Sequence, residues 1–160
     1  FFFFFHRALH HPILYKRFHK QHHEYKGAIA FMTEYAHPME TFSSQLSGMV
    51  GPVLLSLHPS MFIAFVIHKL KRSIEPHSGY ALRGTIFNKL RLANPELSAC
   101  HDFHHAVNQG SFSEPHWDWL FGTMDHWMAQ GGFEGYAARK EGQNLSYLRG
   151  LKLEITSNSQ

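Results

Sequence analysis

The histidines of this chain are spaced so that helices would bring them together. Residues 6–23 read HRALHHPILYKRFHKQHH, and a second cluster, HDFHH, occupies residues 101–105. His6 and His10 are four apart, as are His19 and His23 with His22 between them, and residues three or four apart share a helix face. HKQHH and HDFHH both follow the pattern HxxHH. On a helix each copy can offer three imidazoles, His19, His22 and His23 or His101, His104 and His105, to one or two adjacent ions, and HRALH adds two more. Eight facing ligands exceed the three or four that one zinc ion takes from a protein. The pattern therefore predicts an all-α fold in which distant boxes converge on two metal ions.

Other features narrow the chemistry. A single cysteine, Cys100, excludes an internal disulfide and a cysteine-based metal site. Imidazole suits zinc, copper, iron and nickel alike, so ligand type does not choose the metal. Soluble carboxylate-bridged bundles use a pair of Glu-x-x-His motifs, and this chain lacks the pair, having only Glu34 to His37; no HExxH motif supports a zinc hydrolase. A net charge of +3 from scattered Lys and Arg gives nucleic-acid binding little support. Fifteen histidines and fifteen phenylalanines in 160 residues suit a metal centre inside an apolar, lipid-contacting frame. A nearly all-histidine pair of ions beside apolar segments points to oxygen chemistry on lipid. A metal-binding membrane protein without catalysis is the alternative from another class.

The length suits one domain, read as a catalytic part over residues 1–127 and a polar tail over 128–160 in which no chemistry is legible. FFFFF at the start lacks the basic and cleavage features of a signal peptide. It reads as the stub of an apolar helix, with N-terminal helices expected before it. Pro12 should stop the first helix, and Ile13 to Tyr25 should resume as an amphipathic helix able to lie on a membrane surface. Thr41–Leu57, broken at Gly51-Pro52, and Met61–Leu70, joined by a His58-Pro59 turn, fall short of the ~20 apolar residues of a full span. They predict a hairpin that dips into a bilayer or packs within the protein. EPHSGY reads as a turn and residues 84–98 as a polar connection broken at Asn94-Pro95. Residues 108–115 read as loop, and 116–124 as an aromatic amphipathic segment. The carboxylates nearest the histidines in sequence, Glu34, Glu40, Glu75, Asp102 and Asp118, are candidates to orient imidazoles through their free N–H.

HRALHH, HKQHHEY, EYAHPME, EPHSGY, HDFHH and WDWLFGT occur in the order typical of the fatty acid hydroxylase superfamily, which includes the sterol desaturases. The resemblance covers residues 6–123. Within the superfamily TEYAHPMET, PHSGY and HDFHH are most similar to the C-4 methylsterol monooxygenases. NQGSFSEPHW, residues 108–117, departs from them and is nearer to relatives that hydroxylate sterol side chains or sphingoid bases. The resemblance implies a helical bundle in the endoplasmic reticulum membrane, its di-iron centre facing the cytosol. It also implies O2 as oxidant, with electrons from NAD(P)H through cytochrome b5 or its reductase, and a lipid substrate. Zinc is expected to substitute for iron in purified protein. Carried over by motif, the metal ligands are His6, His10, His19, His22, His23, His77, His101, His104 and His105. His37 in EYAHP is a candidate for a supporting role, whereas His11, His58, His68, His116 and His126 are left as non-ligands.

Overall fold

The computed structural model describes residues 1–25 and 29–142, and all regular structure among them is helical. Eight α-helices run in order: α1 Phe2–Leu9, α2 Pro12–Leu14, α3 Pro38–Leu54, α4 Pro59–Ile74, α5 Ile86–Lys89, α6 Pro95–Val107, α7 Pro115–Leu120 and α8 Asp125–Ala129. A further helix covers residues 132–142. The boundary expected at residue 128 thus falls inside α8, and residues 143–160 of the expected tail lie outside the described residues.

Prolines set where these helices begin. Pro12, Pro38, Pro59, Pro95 and Pro115 each sit in a first helical turn, where the missing N–H is no loss and φ is already helical. The residue before Pro38, Pro59 and Pro95 caps the helix: His37 Nδ1 accepts the Met39 N–H at 3.2 Å, His58 Nδ1 the Ser60 N–H, and the Asn94 side chain the Leu97 N–H at 3.2 Å. Two expectations are corrected here. Asn94-Pro95 opens α6 rather than breaking a connection, and the stretch read as polar linker contains α5. Gly51-Pro52 does not break α3 either; Pro52 lies one turn from its end, and the Leu55 N–H closes onto Gly51 O at 3.0 Å.

The amphipathic helix expected from Ile13 to Tyr25 is also corrected. After α2 the chain widens into a π-helical turn, Tyr15–His19, in which the Lys20 N–H bonds Tyr15 O at 2.8 Å. Irregular turns then carry it to His23. Such single π turns are rare and concentrate at functional sites.

α6 is the central helix. Everything from Leu97 to His105 is buried, with Ala99, Cys100 and Phe103 facing a core completed by Met124, Trp127 and Tyr136. Burying each large side chain there contributes about 1.5–3 kcal/mol. Tyr136, on the last described helix, also donates its hydroxyl to Asp102 at 2.9 Å. The other face of α6 presents His101, His104 and His105. α1 packs through Phe3 against the segment that follows α6, its ring stacking on Phe121 at the end of α7 at 4.9 Å. α3 and α4 form the expected hairpin, with Phe42, Leu46, Met61, Ile63 and Ile67 exposed. No helix among the described residues is long and apolar enough to cross a membrane.

Candidate metal centre

Nine imidazoles from four stretches of chain, residues 6–10, 19–23, 77 and 101–105, meet in the interior and separate into two groups. His6, His10, His19, His23 and His104 form one; His22, His77, His101 and His105 form the other. Within each group the facing nitrogens all lie within 4.8 Å of one another. All but His10 are buried. The nine are the residues expected from the sequence, but the HxxHH boxes are divided in a way that spacing did not show. In each box the i, i+4 pair, His19 with His23 and His101 with His105, joins one group, and the histidine at i+3 crosses to the other.

Hydrogen bonds on the outer ring nitrogens fix which nitrogen points inward. His6 Nδ1 donates to Phe112 O at 2.5 Å, His19 Nδ1 to Glu40 Oε1 at 2.7 Å, His77 Nδ1 to Ser73 O at 2.8 Å and His104 Nδ1 to Gly110 O at 2.6 Å. A neutral imidazole carries one proton, so each of these four turns a bare Nε2 lone pair toward the centre. The Nε2 atoms of His6 and His19 are then 3.1 Å apart with no proton between them. His19 Nε2 also has His10 Nε2 at 3.1 Å and His23 Nε2 at 3.0 Å, three neighbours for one lone pair. The buried Nε2 of His104 meets no hydrogen-bond partner among the described residues. In the second group His77 Nε2 stands 2.9 Å from His101 Nε2 and 3.1 Å from His22 Nε2.

Hydrogen bonding cannot satisfy all of these contacts at once, but a cation can. Nitrogens held ~2.1 Å from one ion at right angles to one another stand ~3.0 Å apart, close to the spacings seen. The residues present therefore fit two metal ions, each with an all-imidazole donor set of five or four. Protonation is resisted. Burial first, then the neighbouring imidazoles, holds His6, His22, His23, His101 and His105 below the usual histidine range, and burial alone does so for His77. The same causes bring His10 to about 2, and burial brings His104 to about 3. Neutral imidazole is the form that ligates.

The supporting residues are a mixed set. Glu40, at the third position of α3, is the carboxylate that holds a ring directly. Asp118, fully buried, acts one layer further out: it accepts the N–H groups of Phe112 and Ser113 at 2.7 and 2.8 Å and the Thr123 hydroxyl at 2.6 Å. It thereby braces the loop whose carbonyls hold His6 and His104. Asp102 takes the Tyr136 hydroxyl and pairs with Lys140 at 2.7 Å. Glu34 is exposed, His37 is the cap of α3, and Glu75 pairs with Lys71 at 3.2 Å. The carbonyls of Ser73, Gly110 and Phe112 had no signal in side-chain identity; only the backbone path reveals them. His58 proves to be a helix cap, and the His116 ring lies against Trp117 at 5.2 Å.

Among the described residues, openings reach the centre from more than one side. A small chamber of about 80 Å3 touches both groups through His6, His19, His22, His77 and His101. A larger cleft, about 270 Å3 and mainly apolar, runs between the α3–α4 hairpin and α6 and ends on His77 and His101 alone.

Comparison with known proteins agrees with this arrangement. The fatty acid hydroxylase family model matches residues 1–123. The chain is 37% identical over 130 residues to methylsterol monooxygenase 1 of Gallus gallus, covering 79% of this chain and 43% of that protein. It is 36% identical over 120 residues to a cholesterol 25-hydroxylase-like protein of Danio rerio (72% and 48%), and 37% identical over 123 residues to the very-long-chain aldehyde decarbonylase GL1-11 of Oryza sativa subsp. indica (74% and 46%). The chain thus spans less than half the length of these relatives. No solved structure matches it. Six ordered motifs, nine converging imidazoles and the match over residues 1–123 together make this chain a member of the fatty acid hydroxylase family.

Proposed function

We propose that the chain carries the catalytic centre of an O2-dependent di-iron monooxygenase that hydroxylates an aliphatic C–H bond of a lipid, a sterol C-4 methyl group in the first instance. The observation that carries this reading is the pair of all-imidazole groups with inward-facing lone pairs at the end of an apolar cleft. Similarity to methylsterol monooxygenases supports the sterol. Kinship with a cholesterol 25-hydroxylase-like protein keeps a sterol side chain as the second choice.

One oxygen atom of O2 enters the C–H bond and the other leaves as water, with two electrons supplied from NAD(P)H through cytochrome b5 or its reductase and two protons taken from the medium. Two iron ions held by the nine histidines would supply the O2 activation. The protein's own contribution is placement and exclusion. Carbonyl and carboxylate acceptors lock the imidazole tautomers, burial keeps the rings neutral, and the cleft brings a hydrocarbon up to His77 and His101 while excluding water. The exposed apolar residues of the α3–α4 hairpin suit contact with a bilayer, which fits an endoplasmic reticulum membrane with the centre on the cytosolic side.

The test is iron per chain in the reduced, anaerobically prepared full-length protein, followed by product analysis on a lipid panel in air. About two irons and an O2-dependent hydroxylated sterol are expected. Tight zinc binding without turnover would instead identify a non-catalytic metal-binding protein.

A further inference from the structure

The cleft that ends on His77 and His101 is mainly apolar; its polar groups are His68, Lys69, Arg72 and Ser73 on α4, Ser44 on α3, and Ser113 and Glu114 before α7. On α4, Phe65, Lys69, Arg72 and Ser73 stand at helical spacing and line it together. Arg72 is neutralised by Glu114 across the cleft's rim. Lys69 is half-buried and makes no ion pair among the described residues. One of its three N–H groups meets the Gln45 side-chain oxygen. Its stem lies tight over α3, where a Cβ on Gly48 would stand 2.7 Å from Lys69 Cε. The ammonium is therefore held against the cleft with donors to spare. Burial lowers its pKa, while Glu34, beyond ion-pair distance, works the other way. A partly desolvated cation with spare donors favours an oxygen acceptor on whatever occupies the cleft.

The same face of α4 leads to the centre: Ser73, whose carbonyl holds His77, is about one helical turn beyond Lys69.

Resting on the lipid-oxidation reading above, we propose that Lys69 anchors the hydroxyl or carboxylate oxygen of an amphiphilic substrate. It thereby orients the substrate in the cleft that ends on His77 and His101. Lys69 is a positioning residue, remote from the reacting atoms.

The experiment titrates the full-length, metal-loaded protein in detergent with radiolabelled stearic acid, octadecanol and octadecane, which share one carbon skeleton. Wild type should bind the acid or the alcohol at least ~10-fold more tightly than the hydrocarbon, in line with one hydrogen bond to a charged group. Preference for the acid identifies a carboxylate ligand, and equal binding of acid and alcohol identifies a hydroxyl. Lys69→Met should abolish the preference and leave octadecane binding unchanged. Lys69→Arg should restore part of it, and Gly48→Ala, which displaces the lysine, should reduce it. Unchanged metal content in each variant certifies the fold, and if Lys69→Met loses metal the other two variants decide. A polar preference that survives in Lys69→Met, or that wild type lacks, overturns the anchor. An intact preference with no oxygenated product from any probe refutes the lipid-oxidation reading and leaves the anchor standing.

Discussion

Replacing Asp118 by alanine tests whether the histidines depend on a loop that none of them belongs to. The carboxylate is 0% exposed and accepts three hydrogen bonds. The Thr123 hydroxyl keeps an alternative in the Asp118 carbonyl at 3.3 Å, so the substitution strands two backbone N–H groups, those of Phe112 and Ser113. Each stranded donor costs about 1–3 kcal/mol. Burial pushes the Asp118 pKa up, so removing a desolvated carboxylate returns part of that sum. The net expectation is a loss of about 3 kcal/mol, and about 2 kcal/mol for Asp118→Asn, which keeps one acceptor oxygen but turns an NH2 toward the other donor. The second consequence is at the metals. Phe112 O and Gly110 O fix the tautomers of His6 and His104, and a slack loop should weaken metal retention ~10-fold to 100-fold. Denaturant unfolding reads the first effect, and competition with a chelator of known affinity reads the second. If Asp118→Ala unfolds at the wild-type midpoint and holds metal as well as wild type, the loop is not what orders those rings.

Three further outcomes are expected. Glu40→Gln keeps an acceptor for His19 Nδ1 but removes the charge, and should weaken metal binding ~10-fold or more with the fold intact by circular dichroism; unchanged affinity would show that the carboxylate does not tune His19. In the metal-free protein His104 is held at about 3 against 6.5 in the unfolded chain. Its contribution to stability is therefore complete above pH ~6.5 and lost as pH falls toward 3, at ~1.4 kcal/mol per pH unit, with the other lowered imidazoles steepening the slope; a urea midpoint unchanged between pH 7.5 and 5.5 would contradict this. Tyr136→Phe removes a buried bond to Asp102 and should cost about 1–3 kcal/mol in thermal unfolding, whereas no change would detach residues 132–142 from the stability of the core.

Much of the centre was legible in the sequence because its ligands are side chains at helical spacing. His6 with His10 and the two HxxHH boxes state their own geometry. What was not legible is backbone. Ser73, Gly110 and Phe112 serve through carbonyls, which any residue could supply, so their roles follow from where the loops run. Prolines were the main source of misreading in the fold. Pro95 and Pro52 look like interruptions when only their missing N–H is considered. Pro95 begins a helix because that N–H would have been unsatisfied there anyway, and Pro52 lies so near the end of α3 that the last turn closes around it. The π turn at Tyr15–His19 had no cue in composition; convergence of His19 on Glu40 and four other imidazoles is the tertiary demand it serves.

The division of each HxxHH box between the two groups has a consequence for assembly. No single segment contains a complete ligand set for either ion, and each box contributes to both. A nascent chain that has emerged only as far as His23 already contains four of the five rings of the first group but only one of the four of the second. Completing the second group has to wait until α6 has docked some eighty residues later. Full metal occupancy in this architecture is therefore a checkpoint on completed folding.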